Sequence, residues 1–370
     1  MDRFIEAGQF ALVLPLMQGF IGQQIFVMDT KPPIVGSEEE QRTSMELSDL
    51  TLEGSSRDAS PSPDRGTVMH TSKQKPTEKK FTLTLISRRS AKRAGLRYLR
   101  RGVDEEGHVA NEVETEQILS YTDPVSRSTK VQSFLQLRGS IPIFWTQSPY
   151  SFKPVPVLQH SRETNFRAME KHFDNITARY GSVQVASLVE KYGNEAIVGE
   201  EYEKYVTQRN DVHLDERPIG FEWFDFHAVC RAMRFENVSY LLDSLQAKLD
   251  EFGSTVVQDG KMIVKQNGII RTNCMDCLDR SNVVQSACAR GVLDAQLKAE
   301  GIDTSLQVDQ STSWFDTLWA DNGDAISKQY ASTAAMKGDF TRTRKRNYKG
   351  ALTDIGLSIS RFYSGYVLAY

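Results

Sequence analysis

Cys274 and Arg280 stand with five residues between them in the run Gly268-Ile-Ile-Arg-Thr-Asn-Cys-Met-Asp-Cys-Leu-Asp-Arg-Ser-Asn-Val-Val-Gln-Ser286. A thiolate is a strong nucleophile, and a guanidinium is a planar fork that grips two oxygens of a phosphoryl group. Together they suit attack on phosphorus, with the arginine following charge as it spreads in the transition state. A loop running from Cys274 through Met275, Cys277, Leu278 and Asp279 to Arg280 can curl so that successive backbone N–H groups converge on one anion. Ser281 comes next, with a hydroxyl placed to cap a helix and donate to the cysteine sulfur. These are the candidate substrate-binding residues beside the catalytic pair.

Two carboxylates interrupt this anion-seeking loop. A carboxylate beside a phosphate dianion is disfavoured in its charged form, and a proton held there is what an alkoxide leaving group needs. Asp276 is the candidate general acid and base. Asp279 is the second candidate, with bracing of the loop as its competing role. Cys274 and Cys277 also spell Cys-x-x-Cys. No further Cys or His pair stands at ligand spacing, so zinc is not expected, and a reversible disulfide between the two remains open.

The elements that must hold this loop are readable on either side. Ile269 and Ile270 form a short buried strand before it. After it, Val283, Val284, Ala287, Cys288 and Val292 recur on one face of a helix. Such a helix N-terminus adds partial positive charge behind the loop and draws a thiol below its free pKa of ~8.5. Elsewhere, residues 10–16 and 24–28 read as strands around a Gly-containing connection, and residues 81–86 as another. The segment 139–145 reads as a buried strand with a proline near its start. Residues 163–180 and 238–252 read as amphipathic helices, and 186–191 and 221–226 as apolar runs. The fold class is α/β: a mixed sheet flanked by helices, with the Cys-x5-Arg loop between a strand and a helix.

Residues 36–80 break the pattern. They are rich in Ser, Thr, Pro, Glu and Lys and lack aromatics, so they cannot bury enough surface to offset ordering entropy. They read as a disordered insertion, with Ser60 and Ser62 before prolines as candidate modification sites and His70 inert. The net charge of −3 over 370 residues gives no global field for nucleic acid. Four cysteines, three of them within fifteen residues, do not make a secreted disulfide framework. Residues 10–28, the most apolar window, carry glutamines, a proline and glycines, and make a poor membrane span.

Arg271-Thr-Asn-Cys-Met-Asp-Cys-Leu-Asp-Arg-Ser-Asn282 closely resembles the catalytic loop of Sac-domain phosphoinositide phosphatases, with Ser281 where the usual form has threonine. Leu85-Ile-Ser-Arg-Arg-Ser90, Gly95-Leu-Arg-Tyr-Leu-Arg-Arg-Gly102, Val109-Ala-Asn-Glu-Val-Glu-Thr-Glu116 and Arg138-Gly-Ser-Ile-Pro-Ile-Phe-Trp145 resemble the same family. So do Glu222-Trp-Phe-Asp-Phe-His227, Trp319-Ala-Asp-Asn-Gly-Asp324 and Asp339-Phe-Thr-Arg-Thr343. The resemblance implies hydrolysis of phosphatidylinositol monophosphates, chiefly the 4-phosphate, with the 3-phosphate and the 3,5-bisphosphate as further substrates. It implies a phosphocysteine intermediate, no cofactor or metal, and lipid substrate at the cytoplasmic face of endoplasmic reticulum or Golgi membranes. The whole chain, 1–370, then reads as a partial Sac catalytic domain, shortened at both ends relative to the family. A catalytically silent lipid-binding form of the same domain, and a soluble protein-tyrosine phosphatase, are the competing readings.

Two basic clusters, Arg88, Arg89, Lys92, Arg93, Arg97, Arg100 and Arg101, and then Arg342, Arg344, Lys345 and Arg346, suit an anionic membrane or a solvated, acid-paired face. Asp321, Asn322 and Asp324 are expected to brace the catalytic loop, and His227 to be structural.

Overall fold

The structure, a computed structural model, describes residues 16–31, 77–306 except 98, 149, 152, 153, 232 and 233, then 313–336 and scattered positions from 342 to 364. The expected strand at 10–16 lies outside these apart from Leu16. So do almost all of the 36–80 segment, with Ser60, Ser62 and His70, and residues 344–346 and 339–341.

Period-two burial builds the antiparallel half of the sheet. In β2 (Glu78–Ser90), Phe81, Leu83 and Leu85 are buried while the residues between them are only partly so. It pairs with β1 (Leu16–Asp29) on one side and β3 (Val113–Thr122) on the other, and β3 pairs with β4 (Thr129–Arg138), all antiparallel. Two expectations change here. Residues 17–23 are not a connection: β1 is one continuous strand, in which Gly19 takes up a register shift between Gln18 and Phe20 and the ladder runs on. The expected insertion, 36–80, overlaps β2 at its end, because Glu78, Lys79 and Lys80 pair with β1. Thr30 N–H donates to the Thr77 carbonyl at 2.9 Å, which holds the two ends of the intervening segment together.

The parallel half follows. Strand β11 (Gly268–Asn273) runs parallel between β4 and β7 (Ser182–Ser187), and β7 pairs in parallel with β8 (Gly220–Trp223). The sheet order is β1-β2-β3-β4-β11-β7-β8. A hairpin of β9 (Thr255–Gln258) and β10 (Lys261–Val264) adds to the start of β4 and completes nine strands. Every residue of β11 is buried, as a central strand covered on both faces requires. The adjacent isoleucines divide between the faces. Ile269 packs with Met169, Phe173 and Ile176 of α1 (Arg162–Tyr180) and with Val198, Tyr202 and Val206 of α2 (Ala196–Val212). Ile270 packs with Leu241, Leu245 and Leu249 of a helix at Val238–Phe252 and with Val283, Val284 and Cys288 of one at Asp279–Ala299. Each buried isoleucine contributes about 1.5–3 kcal/mol.

With the short Phe226–Val229 helix counted as α3, these last two are α4 and α5, and α6 is Ser313–Ala331. Helix α6 lies under the antiparallel half, where Phe315, Leu318 and Trp319 meet Phe26, Phe81 and Leu119. The result is the mixed, helix-flanked α/β architecture. Among the described residues, no helix is long and apolar enough to cross a membrane.

The segment 139–145 is buried but is not a strand. Ile141 and Ile143 are fully buried, and Ile143 N–H turns back to the Ile141 carbonyl at 2.9 Å. Pro142 between them has no N–H to give a ladder. Only Trp145 and Thr146 form a short strand, β5, paired with β6 (Val157–Leu158). The Ile143 carbonyl instead accepts from Val103 N–H, and Gly102, at φ +59, lies so close to it that a Cβ would collide. Gly102 is thus required both for its left-handed backbone and for the close approach.

Candidate active site

Strand β11 ends at Asn273 and helix α5 begins at Asp279, so Cys274 to Leu278 form the turn between them. Its first anchor is the sheet. Leu188 N–H donates to the Asn273 carbonyl at 2.8 Å, and the Asn273 side chain donates to Ser187 Oγ at 3.0 Å. Beneath it, fully buried Arg271 donates from Nε to His172 Nε2 at 3.0 Å and from Nη2 to the Ser140 carbonyl at 2.6 Å. His172 is therefore neutral and gives its Nδ1–H to the Gly107 carbonyl at 2.8 Å. Burial, then the Arg271 charge, holds its pKa well below the ordinary value.

Cys274 is only 2% exposed. Cys277, the one loop residue with a left-handed backbone (φ +55), turns its N–H onto Cys274 Sγ at 3.0 Å. Ser281 Oγ lies 3.6 Å from the same sulfur. Burial pushes the Cys274 thiol up, but a hydrogen bond from the Cys277 side chain, the Arg280 charge and Ser281 outweigh it and bring the pKa down to about 6. Cys277 goes the other way. Burial, then its hydrogen bond and charge repulsion with Cys274, raises it well above the usual thiol value. It remains a thiol whose S–H faces the carbonyls of Gly139 at 2.9 Å and Cys274 at 3.0 Å. The adjacent thiols thus divide into one anion and one donor. Iodoacetamide should accordingly alkylate Cys274 with a rate that rises through pH about 6, while Cys277 stays unreactive at neutral pH. Peptide mapping across a pH series reads both.

Arg280, in the first turn of α5, meets a carboxylate that the sequence did not announce. Its Nη1 and Nη2 donate to the two oxygens of Glu195 at 2.8 and 2.7 Å, and Nη1 also donates to the Leu188 carbonyl at 3.1 Å. Asp276 is turned toward the basic cluster. Arg97 and Arg101 both bind its carboxylate, Arg101 Nη1 at 2.6 Å, and Arg101 Nη1 also reaches the Met275 carbonyl at 2.9 Å. Asn111 Nδ2 donates to the Asp276 carbonyl at 3.1 Å. Arg97 and Arg101 of the first basic cluster therefore turn to the loop and Arg88 binds Glu114 and Glu116, while Lys92 and Arg100 stay exposed.

Asp279 takes the bracing role. It forms a buried ion pair with Arg361 at 2.8 Å and accepts Met336 N–H at 2.6 Å. Arg361 also donates to Thr333 Oγ1, Ser327 Oγ and the Ala334 carbonyl, so it ties the C-terminal segment to the loop. Removing one partner of a buried pair leaves an uncompensated charge. Arg361→Ala should cost about 3–5 kcal/mol of stability, read as a lowered midpoint in thermal unfolding.

Asn322 braces the other end of the site. It donates to Asn282 Oδ1 at 3.2 Å and accepts from Ser87 Oγ at 2.7 Å, and Asn282 donates to the Trp319 carbonyl at 2.9 Å. Asp321 and Asp324 pair with Arg342. His227 lies at the surface, its side chain 76% exposed and 3.9 Å from Glu190. Arg138, at the end of β4, is fully buried, and its three guanidinium nitrogens have no hydrogen-bond partner among the described residues. Burial pushes its pKa down to about 10 against the opposing pull of Cys277, Tyr330, Cys274 and Asp279.

The structure thus brings Cys274, Cys277, Ser281 and Arg280 together, holds Asp276 beside two arginines, and buries Met275 and Leu278 as packing residues. The residues missed in sequence are Glu195, Arg361 and Arg138. Among the described residues, the group of side chains that could hold a metal is Asp104, Glu106 and His108, and it includes neither loop cysteine.

The class defined by this geometry is an α/β protein built around a cysteine-bearing strand–loop–helix turn with a low thiol pKa. Residues 1–231 match the SacI homology domain. The chain is 38% identical over 358 residues to a protein named phosphatidylinositide phosphatase SAC2 from Danio rerio, covering 95% of this chain and 28% of that protein. The human protein of the same name is 43% identical over 287 residues, 77% of this chain and 24% of that protein. The Saccharomyces cerevisiae protein named phosphatidylinositol-3-phosphatase SAC1 is 42% identical over 300 residues, 76% of this chain and 46% of that protein. The chain belongs to the SacI homology domain family. It spans between about a quarter and half the length of these curated relatives.

Proposed function

We propose that this chain is a phosphoinositide phosphatase that hydrolyses phosphatidylinositol monophosphates, chiefly the 4-phosphate, through a phosphocysteine intermediate, with the 3-phosphate and the 3,5-bisphosphate as further substrates. The observation that carries this reading is the Cys274 sulfur, brought to a pKa of about 6 and facing the N–H of Cys277, with Arg280 in the next turn. The names of its relatives, phosphatidylinositide and phosphatidylinositol phosphatases, supply the substrate class.

In the first step the Cys274 thiolate forms an S–P bond as the P–O bond to inositol breaks. Asp276 gives its proton to the departing inositol oxygen. Protonated, Asp276 keeps only one full acceptor oxygen, so the step requires Arg97 or Arg101 to loosen its hold as the phosphate enters. In the second step Asp276 takes a proton from water, the oxygen attacks phosphorus, and the S–P bond breaks to release inorganic phosphate and restore the thiolate. Arg280 and the loop N–H groups carry the charge on the phosphoryl oxygens in both steps. Exposed Lys92 and Arg100 add about 1 kcal/mol each toward an anionic membrane at the cytoplasmic face of endoplasmic reticulum or Golgi membranes.

The test is phosphate release, in buffer stripped of metal ions, from soluble short-chain phosphatidylinositol 4-phosphate and 3-phosphate. Release, faster from the 4-phosphate, is the expected result. A well-folded chain that releases phosphate from neither refutes the reading.

A further inference from the structure

The carboxylate of Glu195 lies in a site that has to bind an anion, where simple electrostatics would exclude it. Its placement is not casual. Glu195 caps the start of α2, its own carbonyl accepting Val198 and Gly199 N–H, and its Oε2 accepts Glu190 N–H at 3.1 Å. It is thereby fixed to the segment that leaves the C-terminal end of β7, the strand beside the catalytic loop. Glu195 and Arg280 side chains are only 17% and 19% exposed.

Counting the donors of Arg280 shows what this achieves. A guanidinium has five N–H bonds in one plane. Glu195 takes one from each terminal nitrogen, and the Leu188 carbonyl takes the second from Nη1. That leaves Nε–H and the outer Nη2–H, side by side and parallel, which is one complete bidentate face. Three bonds to rigid backbone-anchored acceptors fix the plane, and one fork remains for two phosphoryl oxygens. An arginine without them would have to give up the side-chain freedom of a long flexible chain at the moment of reaction.

We propose that Glu195 is a positioning residue that clamps the Arg280 guanidinium by one edge so that its Nε and outer Nη2 donors face the phosphoryl group. This rests on the phosphatase reading above. The clamp has a cost, which its test can use. A carboxylate this close opposes ionisation of Cys274, so Glu195 works against the Cys277 side chain, Arg280 and Ser281 that favour the thiolate.

The probe is Glu195→Gln, which keeps the size and one acceptor oxygen but sets an NH2 group against an Arg280 N–H. Expected are a kcat about 10–100-fold lower on short-chain phosphatidylinositol 4-phosphate and an unchanged circular dichroism spectrum. The iodoacetamide alkylation profile of Cys274 should move to lower pH. The thiolate forms more readily while turnover falls, a combination that loss of structure alone does not give. In an Arg280→Met background the same substitution should cost nothing further, because Glu195 acts through that side chain. A kcat within twofold of the parent, or a loss that adds in full to that of Arg280→Met, overturns the proposal. A parent that releases no phosphate refutes the phosphatase reading instead, and the alkylation profile then still reads whether Glu195 bears on Cys274.

Discussion

Cys274→Ser should abolish phosphate release, by ~10⁴-fold or more, while leaving thermal stability close to that of the parent. The substitution exchanges sulfur for oxygen at a position only 2% exposed, and it changes volume little. The fold should tolerate it because the serine oxygen can still accept the Cys277 N–H, and the loop is also held by Asn273, Asp279, Arg101 and Asn111. The chemistry should not tolerate it, because everything that surrounds the sulfur acts on a thiolate. The Cys277 side chain, the Arg280 charge and Ser281 Oγ together lower the thiol pKa to about 6, so most of the thiol is ionised at neutral pH. A serine hydroxyl starts many units higher, and the same three groups leave it protonated. Measuring kcat beside the unfolding midpoint separates loss of the nucleophile from loss of the fold.

The second large effect belongs to Asp276. Asp276→Asn should slow release of phosphate from an inositol phosphate by about 10²–10⁴-fold, because an inositol alkoxide is a poor leaving group without a proton. With 4-nitrophenyl phosphate, whose phenolate leaves without help, the same variant should lose far less. The difference between the two substrates isolates proton donation from everything else Asp276 does. This matters because Asp276 also has a structural partner set, Arg97 and Arg101. Were it only an anchor for those arginines, Asp276→Asn would slow both substrates alike, and the acid would have to be sought elsewhere.

How far these residues were legible in the sequence follows from the range of the interactions that place them. The strand, loop and helix around Cys274 are local, set by Ile269-Ile270 before it and the 3.6-residue apolar repeat after it, and both elements are found where expected. The helix at Val238–Phe252 has the bounds its periodicity predicts, since its buried positions fall on one stripe. The β1 strand was misread because Gly19 and Gly22 resemble a turn; Gly19 sits at a register shift in a long ladder, and the pairing with β2 overrides the local signal. The segment 139–145 was misread for the opposite reason. Ile141 and Ile143 are as buried as a strand's residues, yet Pro142 has no N–H to give and Ile143 N–H turns back to the Ile141 carbonyl, so no ladder forms.

The charges around the loop were hidden by sequence distance. Glu195 stands 85 residues from Arg280, and Arg361 stands 82 from Asp279. A lone Glu at the start of a helix carries no mark of its partner. The carboxylates within the loop were legible as an anomaly, and the structure gives them separate places: Asp276 to the arginines at 97 and 101, Asp279 to Arg361. What the sequence showed was an anion site that contains two acids, one a candidate proton donor and one a candidate brace. Which cations meet them depended on the fold.

The central claim is a covalent bond between phosphorus and Cys274, and one measurement meets it directly. The chain is mixed with short-chain phosphatidylinositol 4-phosphate, quenched within the first turnovers, digested and mapped by mass spectrometry. A phosphoryl adduct on the Cys274 sulfur, absent from Cys277 and from the Cys274→Ser variant, is the predicted result. Phosphate release by the parent with no adduct on Cys274 at any quench time, or undiminished release by Cys274→Ser, would contradict it.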